Sequence, residues 1–146
     1  MSSNENLTRE IRASLILEVI GRPPEHLNET LENMIKQMGG EKGVKIVSKK
    51  INEPVIMKEQ KDFYTNFAEI EVELEEIFHL AILVFKYMPA HLEVISPESI
   101  AISNNGWNDI LNEITRRLHG YDEIARIMQM QLAQMQKKIN ELERKK

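Results

Sequence analysis

The twelve residues FYTNFAEIEVEL, at positions 63–74, alternate strictly through their second half. Ala68, Ile70, Val72 and Leu74 fall on one side, and Phe67, Glu69, Glu71 and Glu73 on the other. A period of two matches a β-strand, whose successive side chains leave opposite faces of a sheet. One face of this strand is therefore expected to be buried and the other to meet water. Everything around it has to supply the rest of the sheet and the cover for its apolar side.

Working outward, residues 11–21 alternate as well, with Ile11, Ala13, Leu15, Leu17 and Val19 opposed to Arg12, Ser14 and Glu18. Gly21-Arg22-Pro23-Pro24 ends that strand, and Pro24 suits a first helical position, where its missing N–H costs nothing. Leu27, Leu31, Met34, Ile35 and Met38 then recur at helical spacing up to Gly39-Gly40, giving a helix with one apolar stripe. Residues 44–51 read as a second strand with Lys45 and Lys49 on one side. It is broken by Asn52-Glu53-Pro54, because proline cannot donate into a ladder. Val55-Ile56-Met57 reads either as an exposed apolar loop or as an extension of that strand. After the 63–74 strand, residues 75–88 form a second helix. Its apolar side chains sweep an arc of roughly 220° at about 100° per residue. One sheet covers only about 100° of a helix, so Phe85 is expected to be largely buried beneath a further cover. The start of the next helix (Trp107, Ile110, Ile114) or a second subunit would supply it. Residues 91–95 give a short last strand before Pro97.

The order is β-α-β-β-α-β, the split arrangement of ferredoxin-like folds. The resemblance is to an α+β architecture, which hosts many functions and identifies none. Three segments follow: a polar stretch at 1–9, a ferredoxin-like α+β domain at 10–103, and a heptad-repeat helix at 104–146.

That last segment carries a sustained pattern. Trp107, Leu111, Ile114, Leu118, Tyr121, Ala125, Met128, Leu132, Met135, Ile139 and Leu142 are separated by alternating steps of four and three. Leu111, Leu118, Ala125, Leu132 and Ile139 occupy a, and the others d, of a coiled-coil seam. Residues 105–144 would form a helix roughly 60 Å long. Arg117 and Lys138 sit at g, and Asp122 and Glu143 at the e positions five residues on. In a parallel homodimer these would face one another with opposite signs. Gly120 is the weak point, so the alternative is a helical hairpin turning at 119–121. The 3.5-residue period passes through Gly120 without a slip, which favours the continuous helix.

The chemistry that is absent narrows the function. The 146 residues include no cysteine, which removes disulfides, thiolate catalysis and cysteine zinc sites. A net charge of -4 argues against a general nucleic-acid binder, whose affinity comes largely from phosphate contacts. The outward glutamates of the central strand, paired with Lys45 and Lys49 across the hairpin, argue the same way. Residues 1–7 lack the apolar core of a signal peptide, and no run approaches the roughly 20 apolar residues of a membrane span. The expected compartment is the cytoplasm. Glu76 and His79 have Glu-x-x-His spacing, but a di-iron site needs two such pairs with two further glutamates. His79 is read as a solvated or interface residue, and no metal or cofactor is expected. Arg22 and His26 lie at the start of the first helix, where unpaired N–H groups favour an anion; Glu25 and Glu29 already supply negative charge there. The expectation is a non-catalytic, homo-oligomeric interaction or scaffold protein, a parallel homodimer with an unidentified protein partner. The alternatives are a ligand-sensing module that binds a small anion or metabolite at Arg22 and His26, and an RNA- or ribosome-associated factor using the basic tip (Lys137, Lys138, Arg144, Lys145, Lys146).

Overall fold

The computed structural model describes residues 11–145. The polar stretch at 1–9, Glu10 and Lys146 lie outside the described residues. In chain order the elements are β1 (Ile11–Gly21), α1 (Pro24–Gly39), β2 (Val44–Ile51), β3 (Val55–Ile56), β4 (Tyr64–Leu74), α2 (Ile77–Tyr87), β5 (His91–Ser96) and α3 (Asn104–Arg144). The chain divides into two units, Met1–Ser103 and Asn104–Lys146. No helix among the described residues is long and apolar enough to cross a membrane.

The first unit is α+β, with one antiparallel sheet in the order β2-β4-β1-β5 and β3 paired to β4. The 63–74 pattern makes β4 a central strand. Its apolar row lies opposite that of β1, with Leu15 against Ile70, Ala13 against Val72 and Leu17 against Ala68. These six side chains are buried. Leu31, Ile35 and Met38 of α1 close over them, as helical spacing from Pro24 requires. Asn66 is the one buried polar side chain among the described residues. It is fully served: its amide donates to Asn28 Oδ1 at 2.6 Å, and its carbonyl accepts from Phe67 N–H at 2.8 Å. A buried amide without such partners would cost about 1–3 kcal/mol, so this pair fixes where α1 sits on β4.

Val55 and Ile56 join the sheet opposite Thr65 and Tyr64, so the triplet after Pro54 resumes the edge that proline interrupts. The expected pairing of Lys45 with the glutamates agrees with the register, Lys45 standing opposite Glu73, but that of Lys49 needs correction. The β2–β4 register slips between Ile46 and Ser48, and the extra residue reverses which side chains face outward. Lys50 thereby stands opposite Glu69, while Lys49 turns to the helix side and meets Glu32 of α1 at 3.2 Å. The same Glu73 carboxylate is also bonded to Arg12 of β1 at 2.6 Å.

In α2, only Leu80 and Leu83 are buried. Phe85 is partly buried within the single chain. His79, read as solvated or at an interface, is half-buried in the single chain. Gly43, in the loop after α1, has φ +74°, and a Cβ there would run into the His79 ring. Both features demand glycine. Gly43→Ala is expected to lower stability by at least about 1–2 kcal/mol from the backbone term alone. Urea unfolding of the purified variant checks this.

The second unit is one unbroken helix. α3 spans 41 residues and passes through Gly120, so the hairpin alternative falls. No atom lies within 4 Å of where a Gly120 Cβ would sit. Gly120→Ala should therefore stabilise the helix by up to about 1 kcal/mol. A lower melting temperature in that variant would mean that the chain turns there.

Candidate oligomer interface

The heptad residues of α3 form a continuous apolar row that faces water in the single chain. Trp107, Leu111, Leu118, Tyr121, Met128, Leu132, Met135, Ile139 and Leu142 are all exposed, Leu132 to 65%. Ala125 is exposed and Ile114 half-buried. Large apolar side chains scattered singly on a surface are ordinary, but a row along one helix face makes it a candidate for association. The flanking charges are partly engaged within the helix. Arg117 Nε donates to Glu113 at 2.8 Å, Arg116 binds the same carboxylate, and Arg126 reaches Asp122 at 3.0 Å. The two arginines hold the Glu113 carboxyl below its usual pKa. Contacts across a dimer must compete with these local pairs, so each adds little.

Arg22 and His26, the anion candidates, are both exposed. The Arg22 guanidinium lies over the Phe63 ring, 5.2 Å from its centroid. This cation–π contact directs Arg22 to the chain just before β4. His26 is exposed, and its backbone N–H already donates to Pro23 O at 3.0 Å. Glu25 supplies the acidic group of the first turn, which the helix dipole favours.

The structure instead brings together a cluster that the sequence did not advertise. Lys86 Nζ donates to both oxygens of Glu41 at 3.0 Å, and Tyr87 OH donates to Glu41 Oε1 at 2.9 Å. Glu41 lies in the loop after α1 and its two partners at the end of α2, 45 and 46 residues on. Bonds from Lys86 and Tyr87 lower the Glu41 pKa. Burial, then the carboxylate, raises the Tyr87 pKa to about 12. A cleft of about 390 Å³ opens beside Glu41, lined also by Glu75, Glu76, Phe78 and His79. No group of three or more histidine or carboxylate side chains able to hold a metal occurs among the described residues. The cluster clamps a loop to a helix.

Its pH response follows from those directions. Tyr87 ionises near 10 when unfolded and near 12 when folded, so the neutral phenol stabilises the fold below pH 10. That contribution disappears as pH rises through about 12. Urea titrations at pH 8 and pH 12 should show a stability gap between wild type and Tyr87→Phe that narrows at the higher pH. A constant gap would mean the phenol makes no such bond.

No curated protein and no solved structure matches the chain. A family model does match, over residues 12–146, and its span takes in both the sheet-bearing unit and the full seam of α3. On that match the chain belongs to the MJ0538 family.

Proposed function

We propose that this protein is a non-catalytic, homo-oligomeric interaction module in which a ferredoxin-like head is carried on a parallel two-stranded coiled coil. The observation that carries the reading is the exposed seam of α3. Each leucine, isoleucine or methionine moved from water into a coiled-coil core contributes about 1.5–3 kcal/mol. A row of this length therefore exceeds the cost of association, put at about 4–15 kcal/mol. Treating β3 as a continuation of the β2 edge leaves the order β2-β4-β1-β5, with α1 and α2 in the two crossovers. That order supports the split βαββαβ reading of the head.

Charge supports the parallel orientation. In register, Arg117 faces the partner's Asp122, and Lys138 faces the partner's Glu143. Turned antiparallel with a facing d over the whole seam, Arg117 would instead meet the partner's Lys138. Like charges there disfavour that arrangement. The outward sheet face carries Glu18, Glu69, Glu71 and Glu93, which repel phosphate and weigh against RNA bound through the sheet.

Sedimentation equilibrium at micromolar concentration tests this: the chain is expected at twice its own mass or more. A chain ended after Arg126 should associate more weakly while its head still unfolds cooperatively. A compact monomer of the intact chain would overturn the proposal.

A further inference from the structure

Beyond the seam, α3 has a second feature that a two-stranded coiled coil does not require. Residues 127–136, IMQMQLAQMQ, contain no charged side chain, so about 15 Å of helix is uncharged around its whole circumference. The seam takes Met128, Leu132 and Met135. The face opposite it carries Ile127, Met130 and Ala133, and Ile127 and Met130 are 47% and 64% exposed. In a two-stranded coil these outer positions face water and are ordinarily polar or charged.

Charges bracket the belt on that same outer face. Glu123 and Lys137 lie one heptad before and one heptad after Met130. Among the described residues neither has an ion-pair partner in its own chain, unlike Glu113 and Asp122. Two stalks docked by this face and running antiparallel about Met130 bring the two belts together. They also set each Glu123 beside the other stalk's Lys137, twice over by symmetry. Docked parallel with the belts aligned, glutamate meets glutamate and lysine meets lysine. A parallel shift of two heptads restores opposite charges but slides the belts about 21 Å apart. Only the antiparallel alignment satisfies both.

We infer that the outer belt of α3 binds a second copy of the stalk, antiparallel and centred on Met130, so that dimers associate further. This rests on the seam dimer proposed above, and the test separates the two. Sedimentation of the full chain should give a species of at least four chains. Glu123→Lys or Lys137→Glu alone should reduce it to the dimer, and the double exchange should restore it. Met130→Cys, in a chain with no other cysteine, should form a disulfide between dimers on mild oxidation. A wild-type protein that stops at two chains overturns the belt and leaves the seam standing. A monomer overturns both. A larger assembly that the charge reversals leave unchanged, or that Met130→Cys fails to cross-link, overturns the antiparallel arrangement.

Discussion

Replacing Leu118 and Leu132 together by aspartate is expected to convert the protein to monomers at micromolar concentration. Both are a residues, more than half exposed in the single chain, and in the proposed parallel dimer each would meet its own counterpart. The double variant forgoes the burial of four leucines, each worth about 1.5–3 kcal/mol. It also sets paired carboxylates where no water reaches, which costs still more. A loss of even 4 kcal/mol weakens the dissociation constant by about a thousandfold. Helix content should fall as well, because a long helix without a buried face depends on propensity alone. The strands of the head should be unaffected. Sedimentation and circular dichroism read the two effects separately, and an unchanged mass would contradict the seam.

The second large effect belongs to the head. Leu15 has no exposed surface; it lies on β1 between Ile70 of β4 and Leu92 of β5. Leu15→Ala removes side-chain carbons from the middle of the core and leaves a cavity that rigid strands on either side cannot close. Such substitutions cost about 2–5 kcal/mol, a large share of the stability of a domain this size. The denaturation midpoint should drop accordingly. A loss below about 1 kcal/mol would mean that the two central strands are not packed as described. Because the seam residues belong to the other unit of the chain, the folded fraction should still associate.

Strong periodicity was legible because it depends on one residue's relation to its near neighbours. β1, β4 and the stripe of α1 could be read from alternation and helical spacing, and the unbroken α3 from a heptad that passes Gly120 without a slip. What the sequence hid depends on alignment between distant segments. The bulge at Val47 has no local signature, yet it decides that Lys50 and not Lys49 faces Glu69. His79 reads as a polar residue on a helix until Gly43, 36 residues earlier, is laid against its ring. Glu41, Lys86 and Tyr87 are ordinary surface residue types whose bond pattern exists only once loop and helix meet. The apolar row of α3 was legible for the opposite reason: it is a repeat along one helix. Arg22 and His26 share a neighbourhood in sequence, whereas the contact of the guanidinium with the Phe63 ring, 41 residues on, depends on the fold.

The central claim, a parallel and in-register α3 seam, is tested most directly by a single cysteine at position 118. A disulfide needs Cβ atoms about 3.5–4.5 Å apart, and the natural chain offers no competing thiol. The account predicts that Leu118→Cys, oxidised mildly as the full-length protein, becomes a covalent dimer in high yield. Failure of that link, together with ready cross-linking when Leu118→Cys is mixed with Met135→Cys, would show the helices running antiparallel and would contradict the account.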